Sequence, residues 1–319
     1  MFSLVVQFFL PILRKVPISF YLCRRYNQLS TVMKNLLPLL CAAVLLTACH
    51  NTPKAEATQE IDADTIPVDA EQYVRMETSE GTIVFRLYRE TPMHRHNFVK
   101  LCRRGYYDGQ TFYRLVRHSL VQAGDPASKT ATKTTPLGTG DVDYVLEPEL
   151  MPERYYHHSG ALSMASYRPM KESSGGQFFI VTGFKHNDVK LDNAEQHLNK
   201  KLREEVFDSI TKQPSYQKRL KEYKARDNKR GIWEVKEEIK AATDEVMAAR
   251  NPFKYSKEQR KDYTTRGGEA SLDGFYTTFG EVIEGMDVVE KIENRAVNAD
   301  KRPYDDVRII SAVEIDKPE

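Results

Sequence analysis

The sequence predicts a mainly β fold, a closed antiparallel barrel that carries a long α-helical insertion. Three observations point there. Apolar and polar residues alternate in many short segments separated by turn residues. These segments lie in two groups, one from Gln72 onward and one near the C-terminal end. Between the groups runs a highly charged block whose apolar residues recur every three or four positions. Many short strands with few helices suit a closed barrel, because closure removes exposed strand edges.

The first 49 residues read as a leader. Residues 1–20 are apolar and poor in charge, and a second apolar run, residues 36–46, follows Met33-Lys34. It ends in Leu46-Thr47-Ala48-Cys49. A short basic start, an apolar core and small residues before a cleavage point are the features of a secretory signal. The run is shorter than the roughly 20 residues that a membrane-spanning helix takes. Leu46-Thr47-Ala48-Cys49 also resembles the bacterial lipobox. That resemblance implies that Cys49 is acylated, that the residues before it are removed, and that Met33 is the true start, with 1–32 an over-extended reading. Residues 50–71 are rich in Ala, Thr, Asp and Glu without an apolar period, and are expected to form a flexible tether.

The domain is expected over 72–319. Tyr73, Arg75 and Glu77 alternate with Val74 and Met76, and Ile83, Phe85 and Leu87 alternate with Val84 and Arg86. With Ser79-Glu80-Gly81 between them, these runs predict a hairpin. Residues 92–104 predict a helix: Pro92 suits a first turn, Phe98, Leu101 and Cys102 share a face, and Gly105 supplies a stop. Short strands are predicted at 111–116, 120–123, 161–165 and 177–182. The C-terminal group repeats the style, with strands at 276–282 and 307–315 around a helix near 287–294. The charged block, 186–271, is the helical insertion. Leu191, Ala194, Leu198, Leu202, Val206 and Ile210 form one helical stripe, and Ile232, Val235, Ile239, Ala242 and Val246 form another, ended by Asn251-Pro252. A third, weaker helix is predicted at 216–227. Glu and Lys interleave along these helices, as on solvated faces.

Composition excludes some functions. A formal net charge of +2 lacks the basic excess of a nucleic-acid binder, so no nucleic-acid partner is expected. Of Cys23, Cys41, Cys49 and Cys102, only the last two would survive processing, which leaves no disulfide framework. No Cys/His cluster has zinc spacing, and His94, His96, His157 and His158 read as ordinary histidines, so neither metal nor cofactor is expected.

Three segments in order resemble the cyclophilin family of peptidyl-prolyl cis-trans isomerases. Gly81-Thr82-Ile83 through Asn97-Phe98-Val99 is similar to the family's opening hairpin and helix. Gly105-Tyr106-Tyr107-Asp108-Gly109-Gln110-Thr111-Phe112-Tyr113-Arg114, continuing to Gln122-Ala123-Gly124-Asp125-Pro126, is similar to its catalytic strand pair. Gly160-Ala161-Leu162-Ser163-Met164-Ala165 and Gly176-Gln177-Phe178-Phe179-Ile180 are similar to its groove strands. Leu272-Asp273-Gly274, Phe279-Gly280-Glu281-Val282 and Gly285-Met286-Asp287-Val288-Val289 complete the pattern. The resemblance covers 72–185 and 272–316. It implies a closed eight-stranded antiparallel barrel with two capping helices, an interior filled by side chains, and a peptide groove on the outside.

The resemblance also implies roles. Arg114 is the donor that favours the twisted amide, and Gln122 positions it. Tyr113, Leu120, Phe179, Leu272 and Tyr276 belong to the substrate groove, and Ala165 and Ser166 to the edge that pairs with the substrate backbone. Taken alone, these residues would be a surface salt-bridge former and core packing; only their joint placement assigns them to a site. This chain departs from the family pattern in several places. Tyr113 stands for the usual His, Ser119 for a Phe that closes the proline pocket, Ser271 for a frequent Trp, and Tyr276 for a frequent His. Ser166 stands for Asn, which spares a backbone contact. The loop Ser173-Ser174-Gly175-Gly176 reads as lengthened. Loss of the Phe removes apolar contact, which Tyr276 or the insertion is placed to replace, and loss of the Trp predicts weak binding of cyclosporin-type inhibitors.

The expected function is therefore a peptidyl-prolyl isomerase acting on proline-containing polypeptides in the cell envelope. It is expected to be a monomer held to the membrane by its lipid. His50 is not the Asp that favours inner-membrane retention in some bacteria, which points to the outer membrane or periplasmic face. The alternative is a catalytically weak binding module that holds proline-containing clients with its groove and insertion.

Overall fold

The computed structural model describes residues 70–318. The expected leader, the lipidation site Cys49 and the tether up to residue 69 lie outside the described residues.

The hairpin forms as β1 (Gln72–Thr78) and β2 (Gly81–Leu87), with Thr78 opposite Gly81 at the turn. Val74, Met76, Ile83, Phe85 and Leu87 point into the core and are fully buried, as period-2 alternation requires. The first helix, α1 (Pro92–Arg103), starts on Pro92 and lays Phe98, Val99, Leu101 and Cys102 against the sheet. Next come β3 (Arg114–Val116), β4 (Leu120–Ala123), β5 (Val145–Leu146), β6 (Ala161–Met164), β7 (Ser173–Ser174) and β8 (Phe178–Val181). After the insertion come β9 (Thr278–Glu284), α6 (Met286–Glu293) and β10 (Ile309–Ile315).

Eight strands form one antiparallel sheet in the order β10-β1-β2-β9-β6-β8-β4-β3. Its core is aromatic at the centre: Phe98 lies edge-on to Phe178 and near Tyr107 and Phe279. The sheet curls as a half-barrel, and the predicted closure is not made by a strand ladder. The two edge strands, β10 and β3, are joined near their ends by an isolated bridge between Thr111 and Arg308. Phe112 N donates to Val307 O at 2.9 Å and Ile309 N to Gln110 O at 2.8 Å beside it. The reason lies in the length of β3. Its three residues meet the carbonyl of Lys301, which accepts from Leu115 N at 2.8 Å, so the outer edge of β3 faces a loop rather than β10. The loop read as lengthened is itself structured, since β7 pairs with β5.

The insertion holds α2 (Asp188–Thr211), α3 (Pro214–Ala225), α4 (Lys229–Ala248) and α5 (Lys257–Thr265). Asn187, Asn228 and Ser256 cap three of these helices by accepting a backbone N–H, and Ser256 forms a reciprocal capping box with Gln259. Two apolar clusters hold the block together. Ile210, Leu220, Val235 and Ile239 join α2, α3 and α4. Leu191, Leu198, Phe253, Tyr255, Tyr263 and Ala270 join α2 to α5 and the chain that returns to the sheet. Gly268 then forms bridges with both His158 and Phe184, which stitches the returning chain beside the strands it left. Its φ of +148° and a Cβ position 2.3 Å from the carbonyl of His157 leave room only for glycine there.

Candidate active site

Strand register builds the site. Arg114 pairs with Gln122 across β3 and β4, Gln122 with Phe179 across β4 and β8, and Phe179 with Ser163 across β8 and β6. Side chains directly opposite one another share a face. Their neighbours Leu115, Val121, Ile180 and Leu162 all enter the main core. The row Arg114–Gln122–Phe179 therefore lies on the opposite, outer face of the sheet.

An apolar floor forms on that face from Leu120, Ala161, Ala165, Phe179 and Val181, with Leu272 and Tyr276 packed against it. Tyr276 stands edge-on to Phe179, centroids 5.7 Å apart. His157 lies nearly parallel to Phe179, with centroids 5.9 Å apart and planes at 12°. Phe179 is only 3% exposed as a result. Burial raises the Tyr276 phenol above its ordinary value, against the opposing charge of Arg114. Leu272 reaches the floor from a short turn of 3-10 helix, Ala270–Leu272, at the end of the insertion.

Beside the floor is a polar network. Arg114 Nη1 donates to Gln122 Oε1 at 3.0 Å. Gln122 Nε2 donates to Gln177 Oε1 at 3.2 Å, and the Tyr113 hydroxyl donates to the same oxygen at 2.5 Å. Gln177 Nε2 donates to Gly140 O at 2.6 Å and to the Tyr167 hydroxyl at 2.8 Å. Asp125 holds the loop carrying Gly140, since its Oδ2 accepts from Gly138 N at 2.6 Å and Gly140 N at 3.2 Å. A cavity of about 540 Å³ opens next to this network, with Tyr113, Arg114 and Gln122 on one wall and the loops 133–138 and 298–302 on the others.

The structure thus brings together Arg114, Gln122, Leu120, Ala165, Phe179, Leu272 and Tyr276. Tyr113 joins them at the cavity wall with its ring buried. It is 5% exposed, its hydroxyl is bonded inward to Gln177, and burial pushes its phenol well above the ordinary range. Its ring nevertheless forms part of that wall beside Arg114 and Gln122. The backbone of Ala165 is engaged internally: its N–H donates to Gln177 O at 2.9 Å and its carbonyl accepts from Ser174 N at 2.8 Å. Ser166 closes its own turn, donating from Oγ to Glu172 O at 2.6 Å and accepting from Arg168 N at 3.0 Å. Ser271 is exposed and donates to Glu269, adding nothing apolar to the wall.

Sequence reasoning missed two residues. Gln177 was legible as part of Gly176-Gln177-Phe178-Phe179, and its central place appears only once β8 lies beside β4. His157 had no local signal: its contact with Phe179 depends on a loop and a strand 22 positions apart in the chain.

The family model "Cyclophilin type peptidyl-prolyl cis-trans isomerase/CLD" matches residues 73–236 and 212–314. A "Putative peptidyl-prolyl cis-trans isomerase" of Staphylococcus haemolyticus is 27% identical over 250 residues, covering 78% of this chain and 93% of that protein. The human "Peptidyl-prolyl cis-trans isomerase-like 1" is 38% identical over 119 residues, covering 36% of this chain and 68% of that protein. Among solved structures, a Cryptosporidium parvum cyclophilin-type peptidyl-prolyl cis-trans isomerase matches with a TM-score of 0.45 and 20% identity, covering 78% of this chain and all of that one.

Proposed function

Because the chain belongs to the cyclophilin-type peptidyl-prolyl cis-trans isomerase family, we propose that it accelerates Xaa-Pro isomerisation by non-covalent stabilisation of the twisted amide, with Arg114 as the donor. A peptide bond resists rotation by about 18–20 kcal/mol because its nitrogen lone pair is conjugated with the carbonyl. Proline narrows the gap between isomers, yet exchange still takes tens of seconds or more. As the bond twists, the nitrogen regains its lone pair and becomes an acceptor. A donor that meets it only in that geometry lowers the barrier without any covalent step.

Arg114 fits that task. Its guanidinium stays charged and presents a rigid fork, and the bond to Gln122 fixes its orientation. The apolar floor of Leu120, Phe179, Leu272 and Tyr276 takes the proline ring. In this proposal the substrate backbone runs along the edge at Ser166, which its own turn holds in place; the amide and carbonyl of Ala165 are engaged internally and do not pair with it. The observation that carries the reading is the single row, Arg114–Gln122–Phe179, that sets a fixed cation beside an apolar floor. A protease-coupled assay on an Ala-Pro-Phe peptide tests it: acceleration is expected, and a folded chain that gives none counts against it.

A second reading, a slow or inactive module that holds proline-containing clients, draws support from the near-complete cover over Phe179. It predicts peptide binding without acceleration in the same assay.

The site of action in this proposal is the cell envelope, with the chain anchored through a lipid on Cys49. The support is the Leu46-Thr47-Ala48-Cys49 run after an apolar stretch. Radiolabelled palmitate supplied to expressing cells is expected to label the chain, and Cys49→Ser to abolish the label. An unlabelled wild-type chain counts against the anchor.

A further inference from the structure

Asp273 lies between the insertion and the apolar floor, 1% exposed in its side chain, and gathers donors from both sides. Its Oδ2 accepts from the Tyr263 hydroxyl at 2.6 Å and the Tyr255 hydroxyl at 2.7 Å. Both tyrosines belong to the returning part of the insertion, Tyr263 on α5 and Tyr255 just before it. Its Oδ1 accepts from the backbone N of His157 at 2.7 Å and lies 2.8 Å from His157 Nδ1. A carboxylate buried this deeply must be fully paired, and removing one partner leaves a costly charge. With Nδ1–H donating to Asp273, His157 Nε2 is free to accept from the Thr278 hydroxyl, 3.3 Å away. The imidazole is thus held at both nitrogens, and its face is the one that backs Phe179. Asp273 also follows Leu272, a wall of the same floor.

We propose that Tyr255, Tyr263, Asp273 and His157 are positioning residues that couple the insertion to the proline floor. None of them touches a substrate in this arrangement; they act by setting the angle of Phe179 and the position of Leu272. The proposal rests on the reading of Phe179 as the floor of a prolyl groove. It makes the returning half of the insertion a working part of the groove, and leaves α3 and the outer end of α4 outside it.

The test compares the full chain with its Tyr255→Phe/Tyr263→Phe double variant, which keeps both rings and removes both hydroxyls. Two quantities are read for an Ala-Pro-Phe peptide: steady-state kinetics, and Kd by NMR titration. A misplaced floor weakens proline binding equally in the ground and twisted states, which raises KM and leaves kcat alone. The expected result is a rise of about three- to tenfold in KM and Kd, with kcat within about twofold of the parent. A double variant with parental KM and Kd overturns the coupling, even if its melting temperature falls. So does a loss confined to kcat. If the double variant does not fold, Tyr263→Phe alone must show the Kd rise, and a parental Kd there overturns the coupling as well. A parent chain that binds peptide without turnover sinks the isomerase reading, while the titration still decides the coupling.

Discussion

The Tyr276 ring stands edge-on to Phe179, with centroids 5.7 Å apart and planes at 86°. Edge-to-face pairs of this kind contribute about 0.5–1.5 kcal/mol beyond the area they bury. The contact matters because Ser119 leaves the floor without the aromatic wall that the resemblance led one to expect. Tyr276 and Phe179 come from different strand regions, one just before β9 and one on β8, so the replacement is made in space rather than in sequence.

Removing that ring should open the floor. Tyr276→Ala is expected to lower kcat/KM for an Ala-Pro-Phe peptide by about five- to thirtyfold, equivalent to about 1–2 kcal/mol of lost apolar contact. Tyr276→Phe should keep most of the activity. Steady-state kinetics of both variants check this, and parental activity in Tyr276→Ala would show that the floor is filled by something else.

Gln177 is the hub of the polar network, accepting from Tyr113 and Gln122 and donating to the loop at Gly140. Gln177→Ala strands a buried tyrosine hydroxyl and loosens Gln122, the partner of Arg114. The expected cost is about 1–3 kcal/mol in unfolding free energy, seen as a lower denaturant midpoint, together with reduced kcat/KM. An unchanged midpoint would mean that water takes over both bonds.

Much of this fold was legible because alternation survives in each strand. The hairpin β1–β2 and the strand β4 fall where period-2 patterning put them, and α1 begins on its Pro92. The helix α5 was hidden inside a charged block, although Ser256 and Gln259 carry a capping-box spacing that marks its start. Closure of the barrel was overestimated, since patterning reports which face of a strand is buried and not whether its last edge finds a partner. Arg114 and Phe179 could be named from the family resemblance, while the burial of Tyr113 and the backing of Phe179 by His157 depend on loops whose paths no local pattern encodes.

His158 gives a pH-dependent prediction. Burial holds its imidazole below the ordinary value, with the nearby Arg266 acting in the same direction and Glu281 and Asp262 opposing. Below the ordinary value of about 6.5, the unfolded chain binds a proton that the folded chain refuses. Stability therefore falls as pH drops from above 6.5 toward the depressed folded value, and is flat in this respect at higher pH. His158→Gln should flatten that part of the curve. Chemical denaturation at pH 7.5 and 5.5 checks it, and equal slopes in parent and variant would contradict the assignment to His158.

The most direct measurement is peptide isomerisation by the parent chain and Arg114→Ala, alongside peptide Kd for both. Loss of one preorganised donor to a transition state costs about 10²–10³ in rate. The expected result is clear acceleration by the parent, a fall of about a hundredfold or more in kcat for the variant, and a Kd changed by less than about threefold. Equal turnover by the two chains would contradict Arg114 as the donor, and a parent chain that binds the peptide without accelerating its isomerisation would contradict the enzyme itself.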